Sequence, residues 1–178
     1  MATIISTADR RDTRTATSEP APKPSGFRSA YRSLVAAFLL YLGIGVGLRW
    51  DAAWHGTHPF QSFFSPPHWF IYSMVTFTAI AVTRLGLSNR LRPSFGPGFR
   101  LPLVAFELPN AVGLAVGGVA VTGLGGFFDL IWHSRFGLDE TGWSFPHATL
   151  GWGLTLTLRG LIACRLALRS YRPLHWYS

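Results

Sequence analysis

Charge is what this 178-residue chain has least of: Asp, Glu, Lys and Arg together make up 13% of it, about half the usual quarter. Beside 48% apolar and 15% aromatic residues, that scarcity excludes an ordinary water-soluble domain. Cysteine is nearly missing. The lone Cys164 rules out an internal disulfide framework and any zinc site built on cysteines. There are only eight acids and one lysine, Lys23, so the net charge of +8 belongs to arginine, which supplies fifteen of the sixteen basic residues. An excess of this kind ordinarily points to nucleic acid. Here the arginines stand in three clusters between long apolar stretches, which is the layout of a membrane boundary, and no nucleic-acid partner is expected.

The apolar stretches set the expected organisation. Residues 1–30 are rich in Thr, Ala, Ser, Pro and Arg, lack the apolar core of a signal peptide, and read as a disordered cytoplasmic arm that is not cleaved. Ser33 to Trp50 suits a first spanning helix and Trp69 to Thr83 a second. Leu87 to Arg100, with two prolines and two glycines, reads as a polar loop. A third helix is expected from about Leu103 to Phe128, with Glu107 as an ionisable residue inside it, and a fourth from about His147 to Leu168. Arg159 and Arg165 can snorkel to the headgroups from the end of that last helix. The expected fold is therefore an all-α membrane protein of four transmembrane helices. Its units are a two-helix segment 31–86, the loop 87–100, a second two-helix segment 101–170 and a cytoplasmic tail 171–178.

With four spans, fourteen of the sixteen basic residues fall on one side: six from Arg10 to Arg32, then Arg84, Arg90, Arg92 and Arg100, then Arg159, Arg165, Arg169 and Arg172. By the positive-inside rule that side is cytoplasmic, in a bacterial inner membrane, with both termini inside. Arg49 and Arg135 lie toward the other face. Both short loops then face out.

Those loops repeat each other. The first reads Asp51-Ala-Ala-Trp54-His55 and later Ser65-Pro-Pro67-His68; the second reads Asp129-Leu-Ile-Trp132-His133 and later Ser144-Phe-Pro146-His147. Asp, Trp, His, Ser, Pro and His coincide, and the His-to-His step is thirteen residues in one and fourteen in the other. The agreement indicates a duplicated helix-loop-helix unit. Because each unit holds two spans, the copies are expected as parallel repeats about an axis along the membrane normal.

An Asp and a His four apart on a helix share a face, one turn from each other. A short loop makes the next helix an antiparallel neighbour, so Asp51, His55 and His68 can converge, as can Asp129, His133 and His147. Two imidazoles and a carboxylate with open positions suit a divalent transition metal. A plainer alternative is a helix-end Asp and boundary histidines beside interfacial Trp. The duplication favours ligation over that alternative. The residues do not choose the metal: this set is the facial triad of non-haem iron, and imidazole-rich sites also favour copper.

Asp51-Ala-Ala-Trp54-His55 followed by Phe64-Ser65-Pro66-Pro67-His68 resembles the signature of the C subunit of particulate methane monooxygenase and ammonia monooxygenase. The resemblance implies copper on Asp51, His55 and His68. It implies a second site on Asp129, His133 and His147, where Asp129 replaces an Asn of the family pattern. It further implies that these six residues are catalytic in oxygen-dependent hydroxylation of a small apolar or neutral substrate, such as an alkane or ammonia, with dioxygen as co-substrate. Partner membrane subunits in a hetero-oligomer are implied as well. Trp54, Trp132, Phe64, Phe70 and Trp143 would then exclude water and shape the substrate cavity, against the plainer alternative that interfacial Trp and Phe stand at these depths in any membrane protein. The alternatives are a non-catalytic subunit that holds or relays metal, and a structural four-helix protein whose Asp and His residues pair by hydrogen bonds.

Other residues carry weaker signals. Glu107-Leu-Pro109-Asn110 reads either as a buried acid for proton delivery or as a proline-freed carbonyl satisfied by Asn110. Gly43 and Gly47, and Gly113, Gly117, Gly118 and Gly123, are expected to form close-packing faces. His58 is a possible extra ligand, better read as an exposed loop residue. His175 is expected to be inert, and Asp139 and Glu140 to be solvated.

Overall fold

The computed structural model describes residues 24–58, 63–100, 102, 106–137 and 143–169. Much of the expected arm and all of the expected tail lie outside the described residues, as do Asp139, Glu140, Arg172 and His175. Four long helices dominate: α1 over Phe27–His55, α2 over Pro66–Leu87, α3 over Asn110–Phe136 and α4 over Phe145–Arg169. α1, α2 and α3 are each long and apolar enough to cross a membrane. Their outward side chains agree with that composition, since Leu39, Val46, Ile80 and Leu124 are all more than half exposed. In water a surface of this kind would associate or aggregate. α4 has the length, but its threonines and Arg159 and Arg165 leave it less apolar than the other three.

The helices pair as antiparallel neighbours, α1 with α2 and α3 with α4, and the two pairs meet more loosely along α2–α3 and α1–α4. The α3–α4 seam is the tightest. A side chain at Gly118 would collide with the backbone of Thr157, and one at Gly153 with the backbone of Thr122. Thr122 and Thr157 donate their hydroxyls to Gly118 O and Gly153 O, at 3.0 and 2.8 Å, so polar groups in the seam are satisfied within each helix. Of the glycines expected to pack closely, Gly43 and Gly47 face Met74, Ile71 and Phe70 of α2, and Gly118 faces α4. Gly117 and Gly123 instead face open space. The seam runs through Gly118, Gly125, Gly153 and Gly160, two of which lie on α4.

Two expectations about the central segment are corrected. Glu107 does not lie in the third helix. It belongs to β2 (Glu107–Pro109), which pairs antiparallel with β1 (Gly98–Arg100), and its exposed carboxylate lies 3.3 Å from Arg100 Nε. A residue preceding proline is driven out of helical geometry, so Leu108 stays extended before Pro109 and α3 begins at Asn110, whose N–H donates to Pro97 O. The loop from Leu87 is also not simply polar. A short 3₁₀ turn over Arg92–Phe95 seats Phe95, at 2% exposure, in a core with Phe27, Leu34, Leu85, Val112 and Leu161. That core fills the end of the bundle where α1 begins and α2 ends. The opposite end is where the acids and histidines gather.

Candidate metal centre

The last turn of α1 carries Asp51 and His55, and the first turn of α2 carries His68 behind Pro66 and Pro67. Proline suits a first helical turn, whose N–H groups lack intrahelical partners. α2 therefore starts sharply enough to set His68 against the end of α1. Asp51 Oδ2 lies 3.3 Å from His55 Nε2, and Asp51 Oδ1 lies 3.3 Å from His68 Nε2. One ligating atom from each of the three residues falls within 4.8 Å of the others.

The orientation of His68 is fixed from behind. Its Nδ1 lies 2.7 Å from the carbonyl of Phe63. A carbonyl only accepts, so Nδ1 carries the proton, and in a neutral ring Nε2 then offers a lone pair to the carboxylate. Asp51 Oδ1 is buried and has no aligned hydrogen bond despite that 3.3 Å approach. Two acceptors facing each other call for a positive species between them, either a second proton on the ring or a metal ion. A ligating histidine held through its other nitrogen by a backbone carbonyl is the usual support for a metal ligand. The residues fit a divalent ion.

The second set is placed alike but closes less well. Asp129 and His133 sit in the last turns of α3, with His133 Nε2 3.4 Å from Asp129 Oδ1. Gly137 takes a left-handed backbone, φ 82°, open to glycine at little cost. This returns its carbonyl to 2.9 Å from His133 Nδ1, so His133 is fixed from behind as His68 is. His147, at the start of α4, stands 3.8 Å from Asp129 Oδ1 through Nδ1, and that same nitrogen is 2.8 Å from Ser144 Oγ.

The two sets share a wall. The ring of Phe63 lies between them, with its centroid 5.7 Å from that of His68 and 6.2 Å from that of His133. Asp51, His68, Asp129 and His147 all line one cavity of about 330 Å³ between the helix pairs. Tyr72 lines it too, and its hydroxyl donates to Phe63 O at 3.3 Å. Phe63 and Tyr72 were not among the expected cavity residues. Tyr72 follows His68 by four residues, the spacing that puts both on one face.

Of the aromatics expected around the cavity, Phe64 lines it. Trp54 stacks instead on His58 at 3.7 Å, Trp132 packs against Phe136, Phe70 meets Trp50 edge-on, and Trp143 is 88% exposed. Amphipathic rings at a helix end gain more by covering exposed apolar neighbours at the interface than by entering a small polar site. His58, stacked on Trp54 and 2.8 Å from Thr57 Oγ1, is exposed and does not join the Asp51 set.

These features define an all-helical membrane protein with an acid–imidazole cluster at one end of its bundle. No protein-family model, curated protein or solved structure matches the chain.

Proposed function

We propose that this protein is a membrane-embedded metal-binding subunit. It holds a divalent transition metal on Asp51, His55 and His68, and a second, weaker one on Asp129, His133 and His147. The observation that carries the reading is the convergence of the first three ligating atoms within 4.8 Å around a buried carboxylate oxygen that lacks an aligned hydrogen bond. Copper is the metal of choice, by its place in the affinity order for imidazole sites and by the resemblance of the Asp51–His68 segment to the methane and ammonia monooxygenase C subunit. Iron is the alternative.

On this reading all four helices span the bilayer as two parallel two-helix repeats. α4 is carried by its close seam with α3, and the sets of ligands face the side away from Arg84, Arg92, Arg159 and Arg165. The orientation then places that Arg-rich end in the cytoplasm of a bacterial inner membrane. The reaction is the oxygen-dependent hydroxylation of a small apolar or neutral substrate: a C–H or N–H bond, dioxygen, two electrons and two protons give the hydroxylated product and water. Copper, held by these residues, would supply the redox chemistry. The chain's own part is to orient the imidazoles, through the carbonyls of Phe63 and Gly137, and to exclude bulk water with Phe63, Phe64 and Tyr72. Electrons come from partner membrane subunits.

Metal analysis with electron paramagnetic resonance on the purified protein tests the binding, comparing the wild type with Asp51→Ala. A fall of one bound ion per chain on substitution supports it, and a metal content unchanged by the substitution refutes it. Product formation under ¹⁸O₂ with partner subunits present tests the hydroxylation. A metal-holding role without catalysis is the second reading, favoured by the 45% exposure of the His55 side chain, which gives the first site an edge through which metal can exchange.

A further inference from the structure

The cavity between the helix pairs has a shape and a chemistry of its own. The charged and imidazole side chains, Asp51, His68, Asp129 and His147, sit at one end; Ile44, Val75 and Leu154 line the other beside Thr122, whose hydroxyl is spent on Gly118 O. Ile44 precedes Asp51 by two helical turns, so the chamber is roughly 10 Å deep. A mostly apolar cleft with a few convergent polar groups is the usual form of a small-molecule site. Its volume is about 330 Å³, whereas an apolar cavity of ~150 Å³ is filled by one benzene. The space is therefore far too large for a gas-sized molecule to be held in place, and about right for two fused rings or a chain of about eight carbons.

Two glycines set that size. Gly123 and Gly126 of α3 line the chamber, and a Cβ built on either would meet nothing within 4 Å. They are not packing glycines like Gly118 and Gly125, where a Cβ would strike α4. Their missing side chains are the space of the chamber itself. Leu48, Phe64 and Leu130 both line it and are exposed on the outside of the bundle, so the chamber reaches the surface that an apolar solute dissolved in the bilayer would meet.

We propose that this chamber binds an apolar molecule of roughly eight to ten carbons, bicyclic or linear, with its end against the Asp and His residues, and that Gly123 and Gly126 determine the size accepted. This rests on the metal-site reading for its role in chemistry, but the binding itself does not require metal.

The test uses the full chain in lipid nanodiscs with 1-fluoronaphthalene as the probe, followed by ¹⁹F NMR, in metal-free and Cu(II)-loaded samples. The wild type is expected to show a bound resonance distinct from the lipid-dissolved one. Gly126→Phe and Gly123→Leu are each expected to weaken binding tenfold or more, and Gly117→Leu, on the same helix but outside the chamber, to leave it unchanged. Gly123→Leu carries the comparison if the larger Gly126→Phe change impairs folding, as read by circular dichroism. No bound resonance in the wild type, as when a lipid acyl chain fills the chamber, overturns the proposal. So does a bound resonance that survives both substitutions in folded protein. Cu(II) should broaden the bound resonance. A bound resonance with no such broadening keeps the chamber proposal and counts against the metal sites.

Discussion

In the α1–α2 pair, Asp51 holds ring nitrogens of two histidines at 3.3 Å each, one through either carboxylate oxygen. In the α3–α4 pair the same three residue types are present, but Asp129 approaches both histidines through one oxygen, at 3.4 and 3.8 Å, and the farther nitrogen is shared with Ser144. The difference comes from what stands behind each ring. His68 and His133 are both locked by a carbonyl, whereas His147 is held by a hydroxyl through the very atom that faces the carboxylate. Matching spacing in the chain delivers the right residues to one place. The outer hydrogen bonds then decide whether they form a closed ligand set.

The largest effect expected from that contrast is on metal affinity. His68→Ala should weaken the tighter site by roughly 100-fold or more, whereas His147→Ala should leave that site within a few-fold of wild type. Competition titrations with a chelator of known affinity measure both, and equal losses would erase the contrast.

The two pairs also differ in how their helices meet, and this predicts the next effect. Gly118→Leu forces a side chain into the backbone of α4 and should destabilise the protein by about 1–3 kcal/mol or more. Gly43→Ala pushes only against the flexible tip of Met74 and should be felt far less. Thermal unfolding in one detergent, wild type beside each variant, reads the difference.

Ser144→Ala removes the hydroxyl that competes for His147 Nδ1. It should tighten the second site, by about tenfold if the ring turns fully toward Asp129, and so bring the two sites closer together. A weaker second site after this change would mean that Ser144 orients His147 for binding. The smallest expected effect is from Gly137→Ala, which places a side chain at φ 82° at a cost of about 1 kcal/mol. It should slacken His133 and lower affinity at the second site alone.

Much of this was legible in the chain because the relevant periodicities are local. The Asp–His spacing of four is one helical turn, and the prolines before His68 and His147 mark helix starts, so the six residues could be placed at one end of the bundle without coordinates. What could not be read depends on contacts distant in sequence. Phe95 reads as part of a polar loop in the chain because only its packing against α1, α2 and α4 makes it core. Glu107 looked intrahelical because its neighbours are apolar, yet Pro109 and the pairing with β1 hold it in a ribbon. The aromatics follow the same rule: Trp54 and Trp132 stand three residues after Asp51 and Asp129, close to their helical face, but they turn to His58 and Phe136, as interfacial rings do. The position of Phe63 between the two sets depends on how the helix pairs meet, which no local pattern encodes.

Everything in this comparison depends on whether Asp51, His55 and His68 hold a metal ion. Stepwise addition of Cu(II) to the metal-free protein, followed by electron paramagnetic resonance, addresses it most directly. The first equivalent is expected to give one signal with hyperfine splitting from two imidazole nitrogens, retained in His133→Ala and lost when His68→Ala is added to that variant. A first equivalent that binds without nitrogen splitting, or one that keeps it in the double variant His68→Ala, His133→Ala, would contradict that assignment.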